Sequence, residues 1–471
     1  MQQDFDREIL SRLPLAEAVL SLWQFVCADD CLDDLYDRHR GRTYQKKITF
    51  PLMAQLVRDA LLEPEGSGHK SFCHAQQGGS LNAVLSSTYD KLGHLPFAVS
   101  EAFLAEGASR LRQVFPDAEA AAPNAPLPPS LRDFEVIVVD GKVVKRVPRR
   151  LKPARQRKGG LLGGKGLAAL HLRSGLALAL ATDPDGEAND AKLVPALLPQ
   201  VRSRLEGPRL WLADRQFCDL TQTAAFAAED GDHFVVRYHS KVHFCPDPSR
   251  PARHGQDSQG RVYEQEWGWL GREGNKARCY VRRITLQRVG EEDIILVTDL
   301  VDAAGYPGED LLALYLMRWG IERVFQQITE VFHLNRLIAT TPAGTLFQLS
   351  FCLLLYNMIQ VVRGYVAVGQ GHAVESISTE LLFADVAKQL VALHELVATD
   401  RLLALLPSVS CAAALRQRLH ELLGSVWSEL WIKSVSKGRK PPAAKKGKRD
   451  HTSVYRLLNA HRQTGRKATV T

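Results

Sequence analysis

An alternation of short apolar runs and helical segments between residues 134 and 238 most constrains the fold of this chain. The runs have strand length and are rich in Val, Leu and Ala, whereas two later segments carry apolar residues at helical spacing. Ser174-Gly175 separates two of the runs and predicts a hairpin. The predicted order is three strands at 134–140, 166–173 and 175–182, a helix at 190–205, a strand at 209–214, a helix at 220–229 and a strand at 233–238.

Two of the predicted strands end in an aspartate, Asp140 and Asp214. Such a carboxylate needs a partner, because burying an unpaired charge is costly. Tyr315, Arg318 and Glu322 follow at spacing i, i+3 and i+7, which brings them to one side of a helix predicted to begin at about residue 308. Carboxylates suit Mg²⁺ or Mn²⁺, and three of them could hold two ions about 3.5–4 Å apart for in-line phosphoryl transfer.

Each acid also has an ordinary structural interpretation. Asp140 precedes a glycine, which is a common turn dipeptide. Asp214 could pair with Arg215, and Glu322 could pair with Arg318 on a helix surface. The presence of all three acids on suitable elements, in order and with the Tyr and Arg, favours a catalytic site.

These residues resemble the signature of DDE transposases of the insertion sequence 4 type, which is Asp, Asp and then Tyr-x2-Arg-x3-Glu-x6-Lys. Arg215 after the second acid and Trp319-Gly-Ile before the third are shared as well. The resemblance covers roughly residues 30–365. It departs at position 329, where the family has a DNA-contacting Lys and this chain has Thr329.

The resemblance implies an α/β fold with a ribonuclease H-like catalytic core, a β-rich insertion, and helical N-terminal and C-terminal regions. It implies that Asp140, Asp214 and Glu322 are catalytic and bind two Mg²⁺ ions, with Mn²⁺ as an alternative, while Tyr315 and Arg318 bind DNA phosphate. It also implies cut-and-paste transposition of double-stranded DNA, with terminal inverted repeats and target DNA as partners, a hairpin intermediate and a homo-oligomer that pairs two DNA ends.

The basic character of the chain favours an anionic partner. The formal net charge is +8 and the isoelectric point is about 9.0. Residues 142–165 contain ten Lys/Arg and no acid, and residues 433–449 contain eight and no acid. We therefore predict DNA contacts by Lys142, Lys145, Arg146 and Arg215. The glycine-rich run 159–166 lacks the Ser or Thr of a phosphate loop, which favours a basic loop near DNA over a nucleotide site.

Composition also predicts how the chain is divided. The predicted regions are a helical N-terminal DNA-binding region (1–125), a Pro/Ala-rich linker (118–130), the catalytic domain (131–366) with its insertion at about 239–305, a helical region (367–432) and a basic tail (433–471). Trp267 and Trp269 lie in the insertion, where core packing is the ordinary expectation. The resemblance offers either one as an aromatic that stacks on a flipped base.

Three other functions remain open: a nuclease of the same fold without strand transfer, a catalytically decayed DNA-binding protein, and a zinc-dependent regulator. The last would use Cys27, Cys31, His69 and Cys73, although buried thiols beside a solvated acidic face are the ordinary expectation for this set. We expect no signal peptide and no membrane span, and a core helix at 346–362. Eight scattered Cys suit a reducing cytoplasm. The resemblance implies that this cytoplasm is bacterial, with association to the nucleoid when DNA is bound.

Overall fold

The computed structural model describes residues 2–43, 45–62, 67–116, 127–288, 290–397, 405–406, 411–433 and 450–468. These residues form a mixed α/β protein built on one large mixed sheet of eleven strands. The strands are β1 Glu135–Lys145, β2 Gly160–His171, β3 Ala177–Asp183, β4 Arg209–Ala213, β5 Asp232–Arg237, β6 Phe244–Pro246, β7 Arg253–Gln256, β8 Val262–Leu270, β9 Cys279–Leu286, β10 Ile294–Thr298 and β11 His451–Ser453.

Helices flank the sheet and precede it in the chain. The helices are α1 Gln2–Ser11, α2 Pro14–Val26, α3 Asp29–His39, α4 Phe50–Leu62, α5 Gly68–Gln77, α6 Leu85–Gly93, α7 Phe97–Gln113, α8 Val194–Arg202, α9 Leu220–Phe226, α10 Gly308–Met317, α11 Trp319–Glu330, α12 Pro342–Gln370, α13 Thr379–Leu396, α14 Ala412–Leu423 and α15 Val454–Ala468. Residues 8–26 are not one helix, because Pro14 begins α2.

The sheet places the strands in the order β11-β2-β1-β4-β5-β10-β9-β8-β6, with β3 also paired to β2 and β7 to β8. β1, β4 and β5 run parallel, while β2 is antiparallel to both β1 and β3. All seven predicted elements between residues 134 and 238 are present in the predicted order. The β2–β3 hairpin turns at Gly175, whose φ of +70° suits a residue without a side chain.

The end of β1 differs from its prediction. The strand continues past Asp140 to Lys145, and its last part stays paired with β2, with Val143 opposite Lys165. The turn interpretation of Asp140 is therefore wrong: the β-branched residues beyond the glycine keep the chain extended.

The glycine-rich run predicted as a loop is the first half of β2. Its glycines allow α12 to approach the sheet closely. A Cβ at Gly163 would lie 2.7 Å from Thr345 Oγ1, and one at Gly166 would lie 2.9 Å from Leu349 Cδ2. Small residues here therefore serve packing, and the basic loop is confined to residues 146–159.

The insertion is β-rich, as the resemblance implied, and contains β6 to β10. The strands predicted at 277–289 and 293–299 are β9 and β10. β10 pairs antiparallel with β5, so the insertion continues the central sheet.

The predicted core helix is the middle of α12. Thr341 caps its start, Pro342 occupies its first turn, and Gly371 ends it with φ +65°. α12 is long and apolar enough to cross a membrane by composition, yet its most apolar window is wholly buried within the protein. The Asn357 amide both donates to and accepts from the backbone of Ala177, each at 2.8 Å, which fastens α12 to β3.

The C-terminal region departs from the prediction of a basic tail. Residues 434–449 and most of the predicted linker lie outside the described residues, but His451–Ser453 adds β11 to the free edge of β2, and α15 follows directly. Val454 and Leu457 are buried in the main core. Apolar residues at i and i+3 therefore fold the chain back onto the sheet.

Candidate active site

Asp140 and Asp214 lie side by side on neighbouring parallel strands. The register pairs Val139 of β1 with Ala213 of β4, and each aspartate is the next residue along. Adjacent strands are about 4.8 Å apart, so the two carboxylates start from neighbouring positions. Their side chains alternate with those of Val139 and Ala213, and therefore face the layer that contains α11.

Tyr315, Arg318 and Glu322 do not share one continuous helix. α10 ends at Met317 and α11 begins at Trp319, with Arg318 between them in a helical conformation. Two backbone hydrogen bonds at the junction span three residues instead of four, as in a 3₁₀ turn. They run from Arg318 N to Tyr315 O (3.0 Å) and from Ile321 N to Arg318 O (3.2 Å). The three residues nevertheless stay close together at the junction.

Arg318 lies between two of the acids. Its Nη2 donates to Glu322 Oε1 at 3.0 Å, and its Nη1 is 3.9 Å from Asp140 Oδ2. The side chain is 6% exposed, and its guanidinium carbon lies 5.6 Å from the centre of the Tyr315 ring. One buried cation therefore offsets carboxylates that come from two different elements.

The site carries more negative charge than Arg318 neutralises. The pKa of Asp140 is raised to about 6, mainly by burial and to a smaller extent by the charges of Glu322 and Asp214, against the opposing effects of the Gly141 amide and Arg318. Burial, with a smaller effect from Asp214, also raises the pKa of Tyr315 to about 12. A divalent cation or a protonated carboxyl would relieve the excess charge.

Two buried polar groups at the site have no hydrogen-bond acceptor among the described residues. Among the described residues, neither Arg318 Nε nor the Tyr315 hydroxyl donates a hydrogen bond to any acceptor. An unsatisfied buried donor is costly, so both groups fit an oxygen-rich ligand such as a DNA phosphate. The carboxylates suit Mg²⁺ or Mn²⁺, but as they stand no three His, Cys, Asp or Glu side chains in the described ranges are arranged to hold an ion. Arg318 would have to turn from Asp140 toward the phosphate.

The three predicted basic contacts on or after β1 are placed differently. Lys142 is partly buried, and its Nζ donates to Phe325 O of α11 at 3.1 Å. Lys145 and Arg146 are exposed at the end of the strand. Arg146 has φ +64°, a left-handed conformation that non-glycine residues seldom adopt.

The other predicted DNA contacts are paired or at least partly buried within the protein. Arg215 is already paired with Glu292, at 3.4 and 3.5 Å. Trp267 is fully buried, and its Nε1 donates to Val301 O at 2.8 Å, so the prediction that it stacks on a base is wrong for this conformation. Trp269 is half-buried and packs edge-on against Tyr280.

The N-terminal Cys/His set does not converge. Cys27 caps the end of α2 and Cys31 belongs to α3, so the two thiols do not lie on one helix. Cys73 Sγ lies 3.7 Å from His69 Nε2 on α5, but no third ligand joins them within the described chain. All eight cysteines are free thiols.

Two features of the site were not predicted. Trp319, 51% exposed, follows Arg318, and the centre of its ring lies 5.8 Å from the Arg318 guanidinium carbon. Its place next to Arg318 and before a glycine is visible in the sequence. Its exposure is not, because that depends on the break between α10 and α11. On the other face of β1, the Asp190 carboxylate lies so close to Gly141 that no side chain would fit there, and it pairs with Lys165 at 2.9 Å.

A search of curated protein sequences finds no match. Among solved structures, the chain is similar to piggyBac transposase in the cryo-EM structure of its synaptic complex with hairpin DNA, with 88% of each chain covered, 11% identity and a TM-score of 0.40, a level that supports no argument about function. Residues 132–358 match the family model described as the transposase DDE domain. This stretch includes Asp140, Asp214, Tyr315, Arg318 and Glu322, and the protein therefore contains a transposase DDE domain.

Proposed function

We propose that the protein is a metal-dependent, cut-and-paste DNA transposase of the insertion sequence 4 type, acting in a bacterial cytoplasm on terminal inverted repeats and target DNA. The observation that carries this proposal is the adjacency of Asp140 and Asp214 on paired strands, with Arg318 linking Asp140 to Glu322. The strand order β3-β2-β1-β4-β5, in which only β1, β4 and β5 are parallel, supports a ribonuclease H-like core.

The three acids fit a pair of Mg²⁺ or Mn²⁺ ions, held by Asp140, Asp214 and Glu322. Such ions would activate water or a 3′-hydroxyl and stabilise the leaving oxygen. The residues around them orient the DNA: Arg318 can bind a phosphate with two parallel hydrogen bonds, and Tyr315 can add a third.

The test is cleavage of a supercoiled plasmid that carries the reading frame with its native flanks. Asp140→Asn, Asp214→Asn and Glu322→Gln should each abolish Mg²⁺-dependent nicking at the ends while duplex binding persists. Glu330→Gln, an exposed acid at the end of the same helix, is the matched control and should retain activity. Nicking that survives in any of the three variants would remove that residue from the site.

A strand-transfer assay with pre-cleaved ends separates the proposal from its alternatives. Joining of 3′-hydroxyl ends to target DNA supports transposition. Nicking without joining would identify a nuclease of this fold, and duplex binding without nicking would identify a decayed DNA-binding protein. Cross-linking on paired ends tests the proposed homo-oligomer.

A further inference from the structure

The loop after β1 concentrates positive charge on one surface. Eight Lys/Arg between residues 145 and 158 are exposed, and the stretch contains no acid. The eight are Lys145, Arg146, Arg149, Arg150, Lys152, Arg155, Arg157 and Lys158. None of them pairs with a carboxylate among the described residues, in contrast to Arg202 and Arg209, which share the buried Asp232. Such a density of like charge repels itself unless an anion covers it.

The C-terminal segment holds this loop in place. β11 pairs in parallel with residues 160–162 of β2, and Gly160 N donates to Asp450 O at 2.9 Å. α15 packs on the short helical turn Lys152–Ala154 within the loop, and Ala154 is buried in the same core as Val454 and Leu457. The loop therefore has an apolar underside closed by α15 and a cationic upper side.

Two acids near this junction are paired with α15, whereas Asp450, just before β11, is exposed. Asp185 and Glu187, which follow β3, both pair with Arg456 of α15. Glu187 also accepts from Ser453 N at 2.9 Å. The exposed side of α15 carries His461 and Arg462, and no acid follows Asp450 in the sequence. Loop and helix thus present charge of one sign.

We propose that residues 145–158 and α15 form one basic platform that binds the backbone of duplex DNA outside the cleavage site, with β11 and α15 fixing the loop for this purpose. This assignment rests on the proposed function. Lys145 lies five residues beyond Asp140 on an extended strand, which spans about 16 Å. A duplex running from the acids would reach the platform about five base pairs from the scissile phosphate.

The first test measures duplex binding without metal as a function of salt. Each lost phosphate contact should reduce the slope of log K against log salt by about 0.9. The triple variant Lys152→Gln/Arg155→Gln/Arg157→Gln should therefore reduce it by up to about 2.7. Arg155→Gln should be compared with Arg132→Gln, an exposed arginine just before the opposite end of β1, which should leave the slope unchanged. A triple variant with the wild-type slope would overturn the proposal.

The second test isolates the role of α15 without changing charge. Leu457→Ser in the full chain removes a buried contact, whereas Tyr455→Ser alters an exposed position two residues away on the same helix and is the control. Leu457→Ser should expose the loop to trypsin at Arg155 and Arg157 and weaken duplex binding. Retained protection and affinity in this variant would overturn the role of α15, and the charge variants test the surface even if Leu457→Ser fails to fold.

These experiments fail or succeed independently of catalysis. An absence of metal-dependent cleavage would count against the transposase proposal but leave the salt slope intact. Conversely, a normal slope in the triple variant would refute the platform while cleavage by Asp140, Asp214 and Glu322 stood.

Discussion

Lys142 and Thr329 donate hydrogen bonds to the same backbone carbonyl, that of Phe325, although one lies on β1 and the other on α11. The Lys142 Nζ–Phe325 O distance is 3.1 Å and the Thr329 Oγ1–Phe325 O distance is 2.6 Å. The Thr329 hydroxyl is thus turned toward its own helix, and an ammonium group from β1 lies beside it. The cation that the family places at position 329 has a neighbour of the same charge here.

Thr329→Lys should therefore raise affinity for the DNA end by less than about threefold, although a charged hydrogen bond in isolation is worth roughly 1.5–3 kcal/mol. The reason is repulsion between the new ammonium and Lys142. In a Lys142→Gln background, which should itself bind more weakly, Thr329→Lys should restore affinity. Binding of all four proteins at one salt concentration provides the check, and a tenfold gain from Thr329→Lys alone would contradict it.

Metal affinity should fall as pH decreases through about 6. Burial raises the pKa of Asp140 to about 6, so its carboxyl is protonated below that pH and cannot bind a cation. Because the pKa of Asp140 in the folded protein lies above its ordinary value of 3.8, the folded state loses stability as pH rises from 3.8 to about 6, and a bound cation offsets that cost. Calorimetric titration with Mn²⁺ should show an approach to tenfold weaker binding per pH unit below 6. Asp140→Asn should bind weakly at every pH; a flat profile in the wild type would exclude Asp140 as the titrating ligand.

Arg318→Ala should reduce strand transfer more than first-strand nicking, by roughly tenfold or more, because it removes hydrogen bonds to the phosphate of the cleaved end. It should also increase the rise in melting temperature that Mn²⁺ produces, since Asp140 and Glu322 lose their cation. Arg323→Ala, at an exposed position on α11, is the control. Equal losses at both catalytic steps would indicate that Arg318 only pairs with Glu322.

Trp267 and Trp269 should separate stability from DNA contact. Trp267→Ala should lower the free energy of unfolding by about 3–5 kcal/mol, because it empties a buried site and strands a carbonyl. Trp269→Ala should cost less, since its indole is only half-buried, and should alter the fluorescence of 2-aminopurine near the cleaved end if this indole stacks on a base. Denaturant titration measures the stability of both variants, and fluorescence measures stacking. Equal losses in the free energy of unfolding would contradict the difference in burial between the two indoles.

Local patterns predicted the strands and helices around Asp140 and Asp214 because each element buries an apolar run of its own. The two aspartates are then adjacent because β1 and β4 pair in parallel and each aspartate follows the same paired position. The α10–α11 junction at Arg318 could not be predicted, because no proline interrupts the helical spacing. β11 was missed for a different reason: its partner, residues 160–162, lies almost 300 positions earlier, and three residues carry no strand signal of their own. The helical spacing of Val454, Leu457 and Leu458 was available, but the basic composition around it obscured the signal.

The burial of α12 limits how this protein can be altered. α2, α7, β2 and β3 all pack against this helix. If the first 116 residues were exchanged for those of a relative, the apolar surface of α12 would lose the side chains that fit against it. The N-terminal helices are therefore not interchangeable between relatives. Changes of DNA-end specificity would instead have to arise by substitution of exposed side chains, one at a time, on a framework that is inherited whole.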